Sequence, residues 1–285
     1  EFLCRKIEID GPISVGEYMT TALLHPDHGY YMRRNPIGAI GDFVTAPEIS
    51  QMFGELIGLW CAVAWRQMGA PSPVLLVELG PGRGTLMADV LRAMRTVPDF
   101  YESADIHLIE LSPELRNCQR KALADHSVQW HTGLEEVPDG PFLLIANEFL
   151  DALPIRQLVR RYNGWHERMI SCADDGLYFV LDAAPSPLAA LLPDAIANGA
   201  PQDSLVEISP AVLGVASAIA QKISQSRGAA LFIDYGHDET TLGDTLQALR
   251  GQSFANVLED PGLADLTAHV DFGAFCSTTA GIAFH

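Results

Sequence analysis

The chain has 285 residues, of which 48% are hydrophobic and 19% are charged, and its formal net charge is −18. This length and composition provide for one large domain, or one domain with an added lobe, around a substantial core. The negative charge argues against a nucleic-acid partner, and no apolar run reaches the ~20 residues of a membrane span.

The N-terminal part of the chain is predicted to be helical. Residues 11–32 indicate a short capped helix, and a glycine-rich loop follows it. Thr45 and Glu48 then have the spacing of a capping box, with the threonine at the N-cap and the glutamate at the third helical position. They predict a mostly buried helix over 46–68, which Gly69 would end.

The middle of the chain alternates between strand-like and helix-like segments. Continuous apolar strands separated by helices are typical of a parallel sheet that is covered on both faces. The pattern predicts strands at 74–80, 105–111, 128–133, 142–149 and 230–236, and helices at 85–94 and 113–123. The expected architecture is therefore a doubly wound α/β fold.

A different pattern follows the fourth predicted strand. Two turn signals within 156–182, Asn163-Gly164 and 174–176, predict antiparallel hairpins. We therefore expect an inserted antiparallel β/loop lobe on the substrate side of the core. The predicted division of the chain is an N-terminal helical or lid region at 1–72, a core at 73–155 and 228–285, and the lobe at 156–227.

The cysteines and histidines show no pattern of a metal site. Five cysteines are scattered without a CxxC pair, which is typical of reduced thiols in a cytosol-like compartment. The nine histidines form no HExxH-like cluster, so we expect neither a structural nor a catalytic zinc. The N-terminal residues show neither a signal peptide nor an Arg-rich transit sequence.

Three glycines between the first core strand and its helix mark a candidate cofactor site. The sequence ELGPGRGT (78–85) allows a sharp turn out of the strand and leaves the backbone amides unshielded. Its spacing differs from the G-x-G-x-x-G of dinucleotide-binding proteins, and no Lys-Ser/Thr follows as in a P-loop. We expect cofactor contacts from Gly80, Pro81, Gly82 and Gly84.

Two glutamates indicate which cofactor this is. Glu78 precedes the turn, where it would repel a pyrophosphate but suit a ligand with an ammonium or sulfonium group. Glu110 ends the next strand, where a carboxylate can accept both ribose hydroxyls of an adenosine. Together with the adjoining Leu111, they predict S-adenosylmethionine as the cofactor. The alternative is that the glycine turn and these glutamates serve the architecture alone.

Five segments in a consistent order add a resemblance to a known family. They are GDFVTAPEISQMFGELIG (41–58), LVELGPGRGTLMADVLR (76–92), ANEFLDALPIRQ (146–157), IDYGH (233–237) and DLTAHVDF (265–272). These segments resemble the MidA family of S-adenosylmethionine-dependent methyltransferases, whose mitochondrial members assist respiratory complex I assembly. The resemblance implies a Rossmann-like class I methyltransferase sheet and methylation of an arginine in a complex I subunit. It implies a cytoplasmic location in a bacterium and the mitochondrial matrix in a eukaryote.

Arginine methylation would need carboxylates on the substrate side. A guanidinium stays protonated, with a pKa above about 12, and is a poor nucleophile unless carboxylates orient it and receive its proton. The segment after the fourth strand lies at the carboxyl edge, where such sheets bind ligands. There we assign Asn147 to the cofactor, or to positioning of the pocket, and Glu148 and Asp151 to catalysis. For Asp151, capping of a turn is an equal alternative.

Four further residues are weaker candidates for substrate contact. Asp42 and Glu48 would reach the site if their loop folds over the cofactor as a lid, although a plain capping role is favoured for Glu48. Asp234 and Tyr235 end another core strand on the same edge and would form a wall of the substrate site.

Two other functions and one other pair of residues stay open at this stage. A nicotinamide-dependent oxidoreductase is disfavoured by the glycine spacing and by Glu78. A non-catalytic scaffold that binds a complex I precursor would keep the fold without turnover. His269 and Asp271 have the order of a base with its orienting carboxylate, but a hydrogen-bonded structural histidine is favoured. The expected partner is a protein substrate, with no nucleic acid and no membrane span.

Overall fold

The computed structural model describes residues 1–33 and 45–280. Its helices are α1 (Phe2–Asp10), α2 (Val15–Leu24), α3 (Tyr30–Arg33), α4 (Ala46–Ile49), α5 (Gln51–Gln67), α6 (Thr85–Met94), α7 (Pro98–Ser103), α8 (Pro113–Ala122), α9 (Asp194–Gly199), α10 (Pro210–Ser226) and α11 (Phe272–Thr278), with 3-10 turns at Leu134–Glu136 and Pro187–Leu191. Its strands are β1 (Ile13–Ser14), β2 (Val74–Leu79), β3 (Ala104–Ile109), β4 (Val128–His131), β5 (Phe142–Asn147), β6 (Arg156–Arg161), β7 (Gly164–Ala173), β8 (Gly176–Pro185), β9 (Leu205–Ile208), β10 (Gly228–Ile233), β11 (Gly236–His237), β12 (Gln247–Arg250), β13 (Ser253–Ala255), β14 (Asp265–Thr267) and β15 (Val270–Asp271).

The chain divides into two compact units. One, here called the core unit, consists mainly of residues 31–150 and 217–234. The other, the hairpin unit, consists of residues 1–30, 151–216 and 235–278. The domain boundaries drawn from the sequence stay a prediction.

The core unit contains a five-stranded parallel sheet with the order β10-β5-β2-β3-β4. The chain enters at β2 in the middle, proceeds outward to β3 and β4, and then returns to the other side of β2 with β5 and β10. This is the predicted doubly wound α/β fold, and it confirms the fold class. Its topological switch point lies between β2 and β5, where open α/β sheets bind ligands outside the carboxyl ends of their strands.

Helices α5 and α6 pack against each other and on this sheet through glycines and a large apolar cluster. All six residues of β2 are buried, which explains the apolar run of its first four residues. A Cβ atom added at Gly54 would lie 2.5 Å from the Cβ of Asp89, and one added at Gly58 would lie 2.8 Å from the carbonyl oxygen of Val90. The two glycines therefore allow α5 to approach the backbone of α6 closely.

The predicted helix over 46–68 is wrong in two respects. It is divided at Ser50, which is extended (φ −144°, ψ 115°), and Thr45 makes no side-chain capping hydrogen bond. The carboxylate of Glu48 instead binds side chains beyond its own helix, so the predicted capping box is not formed. The end of the helix is as predicted, because Gly69 follows Met68 with φ 89°.

The same helix was also expected to be mostly buried, and one of its faces is not. Exposed apolar side chains recur along α4 and α5 at alternating intervals of three and four residues, at Ile49, Met52, Leu56, Leu59 and Val63. The opposite face, with Ile57, Cys61 and Trp65, is buried in the core cluster.

The hairpin unit contains a five-stranded antiparallel sheet. Its main order is β1-β7-β6-β9, and β8 also pairs with β7 in antiparallel register, from His166 to Ala173. The two predicted turns join β6 to β7 at Asn163-Gly164 and β7 to β8 at 174–176, where Gly176 has φ 116°. The predicted hairpins are therefore present. Two small sheets, β11-β15 and β13-β12-β14, complete this unit.

The prediction of five reduced cysteines is wrong for one pair. Cys4 of α1 and Cys172 of β7 form a disulfide with a Cα–Cα distance of 5.4 Å. They are 168 residues apart in the sequence, so no local spacing indicates the pair. Cys61, Cys118 and Cys276 lie outside this disulfide. Within residues 1–33 and 45–280, no group of three or more acidic, histidine or cysteine side chains is placed to bind a metal ion. In the same part of the chain, no helix combines the length and the apolar character that crossing a membrane requires.

The glycine contacts between α5 and α6 can be tested by substitution. Gly58→Ala should lower the free energy of unfolding by about 1–3 kcal/mol, because the new methyl group meets backbone atoms. Gly214→Ala is the matched control: it also lies within a helix, but a Cβ atom there meets nothing within 4 Å, so it should stabilise by about 0.5–1 kcal/mol. Urea unfolding of both variants measures the difference, and a neutral Gly58→Ala would contradict the close packing.

The disulfide predicts a thiol count. Protein purified without reductant and then denatured should react with a thiol reagent at the three cysteines outside the disulfide, and at all five after reduction. Because the bond closes a long loop, Cys172→Ser should also lower the melting temperature. Five reactive thiols before reduction would show that the pair is not bonded.

Candidate active site

The glycine turn after β2 has the backbone conformation that its sequence requires. Gly80, Gly82 and Gly84 have φ values of 58°, 53° and 85°, in the left-handed region that favours glycine. A Cβ atom at Gly80 would lie 2.8 Å from the ring of Phe149. Gly84 is the N-cap of α6 and provides no side chain there. The turn therefore presents bare backbone at the amino end of a helix, which favours partial negative charge in a ligand.

Glu78 is a buried acid without a hydrogen-bond partner for one of its oxygens. Its side chain lies in β2 just before the turn, and the residue is 2% exposed. Among the described residues, nothing donates to its Oε2. Burial, and secondarily the nearby charge of Glu110, raises the pKa of Glu78 to about 8. An unpaired buried carboxylate is costly, and a cationic ligand group would relieve this cost.

Glu110 follows β3 and is held by donors on both oxygens. The backbone N–H of Ser112 donates to Oε1 at 2.8 Å, and the Nε2 of Gln119 donates to Oε2 at 3.1 Å. Burial raises the pKa of Glu110, and these hydrogen bonds oppose that rise. Each carboxylate oxygen has a second lone pair, so the group can still accept ribose hydroxyls. Leu111 beside it is exposed and offers apolar surface.

Gln119 of α8 connects the glycine turn to Glu110, and it was not among the residues predicted for the site. Its buried Nε2 also donates to the carbonyl oxygen of Gly82 at 2.7 Å, while its Oε1 accepts from Trp130 at 2.9 Å. Arg116 also joins two backbone segments next to the site, because it donates to the carbonyl oxygens of Glu110 and His131, each at 2.8 Å. The sequence signal that could have identified Gln119 is its helical spacing from Leu115, which places both side chains on the inward face of α8.

The residues fit an adenosine derivative with a positive tail. The bare turn, the unsatisfied buried oxygen of Glu78 and the half-satisfied carboxylate of Glu110 lie at the carboxyl ends of adjacent parallel strands, paired at Leu79 and Ile109. A pyrophosphate at this place would meet two buried carboxylates. The ligand groups that match the site are ribose hydroxyls and a cation.

Asn147 and Glu148 extend the site to the end of β5. The Oδ1 of Asn147 is buried without a donor among the described residues, while its Nδ2 donates to Glu148 at 3.4 Å. Glu148 has φ 47°, unusual for a residue with a side chain, and its N–H donates to Ile233 O at 2.8 Å. Burial raises the pKa of Glu148, while the Asn147 side chain and, to a smaller extent, the backbone N–H of Ala46 oppose that rise.

The remaining predicted residues divide between the two units. Asp234 ends β10, accepts from the N–H of Leu150 at 2.8 Å and lies close enough to raise the pKa of Glu148 further. Asp151 and Tyr235 belong to the hairpin unit, where their carbonyl oxygens accept from Ala268 and Val270. Asp42 lies outside the described residues. The core unit thus brings together Glu78, Glu110, Asn147, Glu148 and Asp234, and their functional roles remain predictions.

His269 and Asp271 do not form the dyad considered from the sequence. Both oxygens of Asp271 accept elsewhere, from the hydroxyl of Thr240 at 2.6 Å and from the N–H of Ala274 at 2.8 Å. The backbone of His269 donates to Thr245, and the residue is exposed. This arrangement agrees with a structural role.

Comparisons with known proteins agree with this site. Residues 56–283 match the family model described as "Putative S-adenosyl-L-methionine-dependent methyltransferase". Similar curated proteins are named "Protein arginine methyltransferase NDUFAF7, mitochondrial". The one from Xenopus laevis is 41% identical over 94% of this chain, the one from Danio rerio 39% over 95%, and the one from Homo sapiens 37% over 95%. This chain spans 66%, 69% and 66% of their respective lengths, about two thirds of the curated relatives it matches.

A similar solved structure contains a related ligand. The crystal structure of a protein from Burkholderia thailandensis bound to S-adenosyl-homocysteine is 28% identical, with a TM-score of 0.84. The match covers 98% of this chain and 75% of that one. The resemblance inferred from the five sequence segments is confirmed by these matches.

The buried Glu78 predicts opposite effects of one substitution on stability and on ligand binding. The pKa of Glu78 is about 8 in the folded protein, against an ordinary value of 4.5, so the folded state holds this proton more tightly. The stability that protonated Glu78 contributes to the folded state is complete below pH 4.5, and it is lost as the pH rises toward 8. Glu78→Gln should therefore stabilise the free protein at pH 8.5, on the order of 2–5 kcal/mol, and little at pH 5.

The same variant should bind S-adenosylhomocysteine at least about tenfold more weakly, because it cannot pair with the ligand's ammonium group. Thermal melts at both pH values and titration calorimetry measure the two effects, with the exposed Glu102→Gln as control. A variant that binds as tightly as the wild type would contradict the assignment of Glu78.

Proposed function

Because this chain belongs to the family of S-adenosyl-L-methionine-dependent methyltransferases, we propose that it methylates an arginine side chain of a protein substrate. The observation that carries the proposal is the buried Glu78 carboxylate before the bare glycine turn, whose Oε2 has no donor among the described residues. Similarity to proteins named protein arginine methyltransferase supports the choice of acceptor. The resemblance to the MidA family supports a respiratory complex I subunit as substrate and assembly of that complex as the purpose. Similarity to proteins named mitochondrial supports the matrix as location if the source is eukaryotic, with the cytoplasm as the bacterial equivalent.

Cofactor binding divides among residues of the core unit. Glu78 would pair with the positive tail, Glu110 would accept the ribose hydroxyls, and the backbone of Gly80 and Gly82 would contact the remainder. Asn147, with its unsatisfied buried Oδ1, would accept from the amino-acid portion. When bound, the cofactor supplies a methyl group on a sulfonium, which is an electrophile with a good leaving group.

The substrate side would be formed by Glu148 and Asp234 of the core unit. A guanidinium is a weak nucleophile because its lone pairs are delocalised into the cation. Two carboxylates that hydrogen-bond its N–H groups would align one nitrogen and increase its electron density. Glu148 is half-buried, and its pKa is raised mainly by that burial, so it is a better proton acceptor near neutral pH than an ordinary exposed glutamate. We assign it the role of general base.

The proposal predicts labelled methyl groups on arginine. Wild-type protein incubated with methyl-labelled S-adenosylmethionine and purified complex I subunits should transfer label to an arginine, located by mass spectrometry of peptides. Glu148→Gln should reduce the rate about 100-fold or more while binding S-adenosylhomocysteine nearly as well, because it removes the base and keeps the shape.

Two outcomes would contradict parts of the proposal. Label on lysine or histidine would retain the methyltransferase and exclude the arginine acceptor. No label with the wild type, together with tight binding of a complex I subunit that Glu148→Gln preserves, would favour the non-catalytic scaffold.

A further inference from the structure

Gln119 lies between three hydrogen-bonding groups from different parts of the core unit. Its side-chain Nε2 donates to the carbonyl oxygen of Gly82 in the glycine turn at 2.7 Å, and to the Oε2 of Glu110 after β3 at 3.1 Å. Its Oε1 accepts from the indole N–H of Trp130 in β4 at 2.9 Å. Gln119 is fully buried, so bulk water does not compete for these bonds.

The three bonds use the whole amide group of Gln119 in one orientation. A glutamine amide offers two N–H donors and one carbonyl acceptor, whereas the indole of Trp130 can only donate. If the amide were reversed, its oxygen would face the carbonyl of Gly82 and the carboxylate of Glu110. A buried amide oxygen without a donor is costly, so the indole of Trp130 stabilises Gln119 in the orientation that donates to both acceptors.

The direction of the Glu110 carboxylate depends on Gln119. The last side-chain torsion of a glutamate is broad, so a carboxylate that is held at one oxygen can rotate. In Glu110 the backbone N–H of Ser112 holds Oε1 at 2.8 Å, and Gln119 holds Oε2. One donor on each oxygen fixes the plane of the carboxylate and the direction of its remaining lone pairs. Two neighbouring ribose hydroxyls would use both oxygens at once, so they would bind best to a carboxylate that cannot rotate.

The backbone of Gln119 is also close to the glycine turn. A Cβ atom added at Gly84, the N-cap of α6, would lie 3.3 Å from the Cα of Gln119. The amino end of α8 is fixed by its own cap, because the hydroxyl of Ser112 accepts from the N–H of Leu115 at 3.3 Å. The side chain of Gln119 therefore extends from a helix that contacts the turn and is held at its start.

We propose that Gln119, held by Trp130, is the positioning residue that gives the site its preference for a cofactor with free ribose hydroxyls. This inference rests on the cofactor binding of the proposed function and deepens it. Both residues act through the carboxylate of Glu110. The preference is the Kd of a ligand without the ribose hydroxyls divided by the Kd of the same ligand with them.

The test measures this preference in variants of the whole chain. The two ligands are S-adenosylhomocysteine and its 2′,3′-dideoxy analogue, and titration calorimetry gives both Kd values. Gln119→Leu removes all three bonds, and Trp130→Phe removes the bond to Oε1 while it keeps an aromatic ring. Trp165→Phe is the matched control, because it removes an indole bond of similar length, 3.1 Å to the carbonyl oxygen of Ala197, in the hairpin unit.

The wild type should prefer S-adenosylhomocysteine about 100-fold, because a site built to bind hydroxyls rejects a ligand that lacks them. Gln119→Leu should lower this preference to about tenfold or less and change the Kd of the dideoxy analogue about threefold or less. Trp130→Phe should lower the preference about three- to tenfold, and Trp165→Phe should keep the wild-type value. The double variant of Gln119→Leu and Trp130→Phe should match Gln119→Leu alone, because the indole acts through the amide.

The indole N–H signal of Trp130 in nuclear magnetic resonance spectra tests the hydrogen bond without a ligand. Trp130→Phe identifies this signal by its loss. In Gln119→Leu the Trp130 N–H should exchange with solvent faster than in the wild type, because it has lost its acceptor. Unchanged exchange in Gln119→Leu would contradict the role of Trp130.

The binding data also distinguish this inference from the function on which it rests. If the wild type shows the preference and Gln119→Leu loses it, but no methyl group reaches arginine, the proposed function is wrong and the inference stands. Equal Kd values for both ligands in the wild type, or an equal loss of affinity for both in Gln119→Leu, would overturn the inference. Should Gln119→Leu fail to fold, Gln119→Glu keeps an acceptor for Trp130 but loses both donors. It should lose the preference in the same way, and a wild-type preference in Gln119→Glu would overturn the inference.

Discussion

The burial of Glu78 is the constraint from which the rest of the site follows. A carboxylate that is 2% exposed and unpaired at one oxygen destabilises the free protein whenever it is ionised. The position is structurally demanding, because β2 is the central strand and every residue in it is buried. An apolar residue at this position would stabilise the folded protein more. The sequence therefore keeps an energetically unfavourable group at the switch point, and binding of a cation is what compensates for it.

The surrounding residues keep that carboxylate in place and define the shape of the ligand site. The glycines bring the backbone of the turn close to the site, and Phe149 leaves no space for a side chain at Gly80. Gln119 binds both the turn and Glu110, so the two strand ends move together. Such buried donors with fixed acceptors provide preorganisation, which is how a site favours one charge distribution over another. The same bracing holds the site residues that follow the strands in place at the carboxyl edge of the sheet.

How much was predictable depends on how local each interaction is. Helix α6 has the predicted bounds, 85–94, because glycines mark its start and the apolar period is strong. The strand β2 and the two hairpin turns were predictable because their signals, an apolar run and turn residues, are also local in the sequence. The capping box failed because Glu48 meets Thr85, 37 residues away, and a tertiary partner displaced the local one. The disulfide and the role of Gln119 were missed because their partners are distant in sequence, and no spacing rule reports such contacts.

The site combines two acids whose environments give them different roles. In the free protein near neutral pH, the raised pKa of Glu78 keeps it largely neutral, and a bound cation must displace its proton. Glu148 is less buried and receives a hydrogen bond from the side chain of Asn147, so it ionises more readily and can accept a proton during the reaction. Both groups favour a cationic occupant more strongly as the pH rises. One fold thus separates a binding carboxylate from a reacting one by burial and by the number of donors, with no change in residue type.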